Sequence, residues 1–254
     1  MQPVYMYHAV GSGTELQGAD PHYAVAAADF ARHLVRIGRS LALAAQRMAG
    51  RRPSAPAVTF DDGHRTNYSN AFPALVEAGM QAEFYVNSAL VGRDGFVTWA
   101  QLAEMADAGM SIQSHGDHHL FFADLDDRSL ETELERSKKT IEDRLGLTVT
   151  VLAPPGGRFD RRTVEKALSL GYRALAVSRP GLWTRTDALT VPRFPIYAHT
   201  GEDTVARYKS PRSADTLRAV ARYRAARIGQ TILGNRRYDG LRNSMLGAGE
   251  GRAA

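Results

Sequence analysis

Short apolar runs recur along this chain roughly every thirty residues, and the segments between them carry helical periodicity. Val4 to His8, Ala57 to Phe60, Ala82 to Val86, Ser111 to Gln113, Thr148 to Leu152, Tyr172 to Val177 and Leu189 to Tyr197 read as strands. Helices are predicted over 26–49, 68–78, 98–108, 127–145 and 161–170. The clearest is 127–145, where Leu130, Leu134, Ile141 and Leu145 form one stripe that Gly146 stops. Such alternation predicts a parallel sheet, because parallel neighbours need a long crossover. A closed barrel and an open doubly wound sheet give the same string. In either, a site assembles at the C-terminal ends of the strands.

Those ends are where the chemistry is. His8, Asp61, Asp62, Asn87, His115 and Pro154 each follow an apolar run. Asp61-Asp62-Gly63 puts two carboxylates at a turn that Gly63 can make. Adjacent strand residues point to opposite sides, so the two Asp need not do the same job. An acidic turn without function is the competing reading. His115 and His119 have the spacing to converge on one ion, with a carboxylate as a third ligand. His118 competes from the same loop.

Thr-Phe-Asp-Asp-Gly at 59–63, Ser-His-Gly-x-x-His at 114–119 and Pro-Pro-Gly-Gly-Arg at 154–158 stand in an order that resembles the polysaccharide deacetylase family, the NodB-homology domain. The resemblance runs from about Met6 to about Pro195. It implies a distorted (β/α) barrel of about seven parallel strands, here with a basic, partly helical C-terminal extension. It further implies a divalent metal, zinc first and cobalt, nickel or manganese as substitutes, on Asp62, His115 and His119. Asp61 is then the general base in deacylating a sugar. Tyr197-Ala198-His199 approximates the family's closing motif, which makes His199 the general acid. Pocket-wall candidates are His8, His64, Asn87, Pro155, Gly156 and Arg158.

The chain departs from the family pattern in its third motif. Ala153 stands where an Arg would orient the base, and Gly156 where an aromatic would sit. Asp61 is therefore expected to lack its usual partner unless Arg158 reaches back. The N–H groups of Gly156 and Gly157 remain candidates for an oxyanion, against a reading of the loop as merely rigid. The fourth motif has only Gly181-Leu182-Trp183 as a substitute.

The chain has 254 residues and no cysteine, so disulfides and thiolate sites are excluded. No run of apolar residues is long enough for a membrane span, and no leader is evident at the N-terminus. The expectation is a cytoplasmic protein, membrane-peripheral if its tail binds anionic lipid. That tail is basic: residues 206–254 carry an excess of eight positive charges against +5 for the whole chain. A solvated face is the plainer reading, and nucleic acid is not expected. The domain reading is a barrel over 1–200 and a basic extension over 201–254, with weak helices at 214–228 and 231–241. The function expected is metal-dependent removal of an N-acetyl, or O-acetyl, group from a carbohydrate or glycan precursor. Two alternatives stand beside it: a deformylase or other C–N hydrolase on a lipid-linked or small substrate, and a catalytically silent glycan-binding protein. Oligomeric state is unknown from sequence.

Overall fold

The computed structural model describes residues 1–233, with side chains through 230. In chain order it comprises β1 (Gln2–Tyr7), β2 (Ala9–Val10), β3 (Ala24–Val25), α1 (Ala27–Ile37), α2 (Leu43–Ala49), β4 (Ala57–Phe60), α3 (Phe72–Glu77) and β5 (Ala82–Val86). Then follow α4 (Trp99–Asp107), β6 (Ser111–Ser114), α5 (Asp127–Leu145), β7 (Val151–Leu152), α6 (Arg161–Ser169) and β8 (Ala174–Val177). The chain ends its described part with β9 (Leu182–Trp183), β10 (Thr190–Pro192), β11 (Phe194–Pro195), α7 (Glu202–Arg207) and α8 (Ala214–Leu233).

The main sheet has the order β10-β8-β7-β6-β5-β4-β1-β11, every neighbour parallel. Its two ends are the same stretch of chain: β10 pairs with β8, β11 pairs with β1, and only Arg193 lies between them. One segment thus crosses from one edge to the other and nearly closes a barrel, so the sheet has seven staves. Pro192 and Pro195 end the two halves, where a missing N–H costs the ladder least.

Strand alternation sorts side chains into two cores. Tyr7, Phe60 and Phe84 face outward beneath the helices, with Phe60 and Phe84 stacked at 4.8 Å. Each such fully buried side chain contributes roughly 1.5–3 kcal/mol. Inside, the alanines Ala57, Ala153, Ala174 and Ala176 leave room for Tyr85 and Trp183. Leu43 of α2 joins this inner core, and the Ala44 N–H donates to Glu83 at 2.8 Å, so α2 stoppers the end of the barrel away from the strand C-termini.

Two predicted helices are broken for local reasons. The expected helix 26–49 splits, because Gly38 at φ 81° caps α1 on Leu34 and the chain restarts at Leu43. The expected helix 68–78 opens as a π-helical turn, Asn67–Ala71, before α3. Pro73 sits in the first turn of α3, where it lacks the N–H that a continuous α-helix would use.

Packing continues past residue 200. Val205 and Tyr208 belong to the outer core, and Tyr208 stacks on Phe194 at 4.3 Å. The predicted helix 214–228 is longer, running on to Leu233, and the stretch expected over 231–241 lies mostly outside the described residues. Among the described residues, no helix is long and apolar enough to cross a membrane.

Candidate active site

A cavity of about 600 Å³ opens at the C-terminal ends of the strands. That is an ordinary size for a small-molecule site. Asp61, Asp62, His115 and His119 line it together with His8, Gly156 and Arg158.

The Asp61 N–H still bonds to the Tyr7 carbonyl at 3.0 Å, so Asp61 continues the strand and points into the barrel. Asp62 does not. Its φ is +72°, which ends the alternation and swings its carboxylate back over the same cavity. The expectation that the two carboxylates diverge is therefore corrected by one backbone angle: both face the cavity. Among the described residues, Asp62 and His119 (φ 61°) are the only non-glycine residues at positive φ. Strain of this kind costs on the order of 1–3 kcal/mol per residue, and it falls on two of the three expected metal ligands.

The Nε2 atoms of His115 and His119 both lie 3.2 Å from Asp62 Oδ1. His115 is fixed by its other nitrogen: Nδ1 stands 2.7 Å from the Ala153 carbonyl, which can only accept, so Nδ1 carries the proton. A neutral His115 then presents a lone pair towards the Asp62 carboxylate. Two imidazole nitrogens and a carboxylate oxygen converging in this way need positive charge among them, from a cation or from extra protons. Without a cation His119 supplies it: burial pushes its pKa down, but Asp62 outweighs burial and raises it. Burial pushes Asp62 up, and hydrogen bonds from His115 and His119 take it well below the ordinary carboxylate value. The donor set fits a divalent ion that accepts nitrogen and oxygen.

Asp61 has a partner that sequence reasoning missed. Arg193 grips it in a two-pronged ion pair, Nη1 to Oδ1 at 2.6 Å and Nη2 to Oδ2 at 2.8 Å, with both side chains buried. Arg193 Nη1 also donates to Thr59 Oγ1 at 3.2 Å, and its guanidinium lies 5.1 Å from the Tyr85 ring centroid. Burial would push the Asp61 carboxyl up; Arg193 first, then His115 and His8, reverse this and hold it below the ordinary value. The orienting arginine thus comes from the closing strand instead of the third motif. Its signal in the sequence was a single charge inside the apolar run Val191 to Ile196.

The remaining candidates divide. His8 lines the cavity with its ring 4.4 Å from Tyr23, and burial lowers its basicity. Arg158 lines it too, but its guanidinium lies 4.0 Å over the Phe121 ring and does not take the role at Asp61. Gly156 adopts φ 61°, and a Cβ there would come within 2.8 Å of Phe121. The Gly157 N–H is committed to Pro154 at 2.9 Å, so the expected oxyanion role for that group does not hold.

Four candidates are not on the wall. Pro155 is buried at the start of the 155–157 turn and does not line the cavity. Asn87 donates to the His115 carbonyl at 2.7 Å and so braces a ligand loop without reaching the cavity. His64 is held between Thr66 and the Gln17 carbonyl, pinning the 11–20 loop. His199 is exposed, stacked on the outer side of Tyr197; His22, 5.9 Å from it, lines the cavity instead. His118 turns away from the trio onto Glu133, at 2.7 Å.

Comparison with known proteins agrees with this geometry. Residues 50–175 match the family model described as polysaccharide deacetylase. YxkH of Bacillus subtilis (strain 168) is 29% identical over 200 residues, covering 74% of this chain and 68% of that protein. A polysaccharide deacetylase from Bacillus cereus superposes with a TM-score of 0.73 at 25% identity, covering 82% of this chain and 68% of that one. The Streptococcus pyogenes deacetylase PplD, determined with acetate, shares the fold: its TM-score is 0.73 at 23% identity, over 83% of this chain and 98% of that one. Over residues 50–175 the chain carries the sequence pattern of the polysaccharide deacetylase family, and carbohydrate deacetylation is the activity that match supports.

Proposed function

We propose that this protein is a metal-dependent hydrolase that removes an acetyl group, N-linked in preference to O-linked, from a carbohydrate. The observation that carries the reading is the pairing, in one cavity, of a convergent Asp62–His115–His119 trio with a carboxylate, Asp61, locked beside it by Arg193. Asp62, His115 and His119 would hold the ion, with Asn87 and the Ala153 carbonyl keeping His115 in place. A divalent ion there would polarise the acyl carbonyl and acidify water.

The protein's own residues supply the rest. Arg193 keeps Asp61 ionised and fixes both of its oxygens, so the carboxylate is ready to take a proton from water. We assign protonation of the departing amine to His22, the cavity-lining imidazole beside Tyr197, in place of His199. The intact Arg193–Asp61 pair weighs against a silent glycan-binding protein, a reading that the missing arginine and aromatic of the third motif favour.

The test is metal content together with amine release from N-acetylated sugars. Wild-type protein should carry about one divalent ion per chain and release amine, and Asp62→Asn and His119→Ala should lose both. Protein that binds no ion after incubation with zinc, cobalt or nickel would refute the mechanism.

A further inference from the structure

The cavity has a wall that the family match does not cover. Ala219, Arg222, Tyr223, Ala226, Arg227 and Gln230 of α8 line it, and these positions recur every three to four residues, which is one face of a helix. That face carries two guanidiniums, a phenol and an amide. α8 lies beyond residues 50–175, the part matched by the family model. Its one acidic residue, Asp215, is engaged by Arg207 and Arg218 at the start of the helix, away from the cavity stripe.

We infer that α8 is a specificity element, with Arg222 and Arg227 recognising an anionic group, phosphate or carboxylate, on the acylated sugar. The inference rests on the deacetylase reading for the sugar. An amphipathic helix usually turns its apolar stripe towards the body of the protein and its charged side to water. Here a charged stripe faces the cavity while Leu217 and Ile228 are exposed elsewhere on the helix, at 58% and 61%. Arg222 lies 5.8 Å from the ring of Tyr197, and both line the cavity that Asp61 and Asp62 line. Arg227 donates to Gln230 at 3.2 Å within the stripe. Of the three arginines among the described lining residues, α8 contributes two, Arg222 and Arg227. Arginine suits this task because its fork pairs two N–H groups with two oxygens of either anion. Tyr23, Tyr197 and Tyr223 add aromatic surface around it.

The experiment is calorimetric binding to the zinc-loaded full chain, which needs no turnover. Three probes are compared: neutral N-acetylchitotetraose, a hyaluronan tetrasaccharide for carboxylate, and N-acetylglucosamine 1-phosphate for phosphate. At least one anionic probe should bind tenfold or more tighter than the neutral one, and added salt should erode that preference. The preference should fall at least tenfold in Arg222→Ala and Arg227→Ala but persist in Arg224→Ala, a position on the same helix but off the stripe. Which anionic probe wins identifies the group. No preference in wild type, or an equal preference in all variants, would overturn the inference. Amine release is measured separately, so a preference without any turnover would sink the deacetylase reading and leave the anion site standing.

Discussion

Replacing Arg193 is the most informative perturbation, because it separates the cost of burying Asp61 from the benefit. Arg193 is fully buried and makes two charged hydrogen bonds to Asp61 and a third to Thr59. In Arg193→Ala the carboxylate stays buried without its counter-charge. Breaking a buried pair on one side costs on the order of 3–5 kcal/mol. With a urea slope of about 3 kcal/mol/M, the midpoint should fall by roughly 1–1.7 M at pH 7.5 in metal-free protein. The sign with pH follows from the ion pair. In wild type the Asp61 pKa is held below its ordinary value, so the pair's contribution is full at neutral pH and is lost only as pH falls through that depressed value. In the variant burial is opposed only by His115 and His8, the pKa rises, and protonation relieves the strain. The gap between variant and wild type should therefore narrow between pH 7.5 and pH 5. The acid limb of the activity profile should move to higher pH in the variant, and Arg193→Lys should recover part of the stability but not the two-pronged geometry. An Arg193→Ala protein as stable as wild type at pH 7.5, with an unmoved acid limb, would show that Arg193 is not what keeps Asp61 ionised.

Three further outcomes are expected. The Glu133 carboxylate accepts the N–H groups of Asp117 and His118 at 2.9 Å and meets His118 Nδ1, so it holds the loop that presents His115 and His119; Glu133→Ala should weaken zinc binding 10-fold or more by competition with a chelator. His22→Ala should lower the rate of amine release by about 100-fold or more at saturating substrate, and His199→Ala by far less, since only His22 lines the cavity. His33 is buried with Nε2 towards the Thr200 carbonyl at 2.9 Å and Nδ1 towards the Tyr7 hydroxyl at 3.1 Å, and burial lowers its pKa. Unfolded chain then takes up a proton more readily than folded chain, so stability should be full above the ordinary histidine value and decline as pH falls through it, a slope that His33→Gln should flatten in urea titrations at pH 7.5 and 5.5.

The fold was largely readable because periodicity is a local property. Ala82 to Val86 and the 127–145 helix were placed from alternation, stripe and stop signals that do not depend on distant residues. The breaks at Gly38 and Pro73 are also local, and their residues were visible, but an otherwise helical pattern on both sides outweighed them. Closure of the sheet was not local. It depends on one strand finding two edges, β8 and β1, whose residues are far apart in sequence.

The site divides along the same line. The sequence by itself determined the donor types, their order and their arrival at strand ends: Asp61-Asp62-Gly63 after one run and His115 to His119 after another. Only the tertiary structure decided that Asp62 turns at positive φ to share a cavity with Asp61, and that His22 instead of His199 reaches it. It also decided that the arginine absent at Ala153 is supplied by Arg193, 132 positions from Asp61, and that α8 stands over the mouth. The reason is physical. A strand's pattern fixes which face a side chain takes, whereas the partner it meets there depends on which other strand closes the barrel, and short-range pattern carries no record of that.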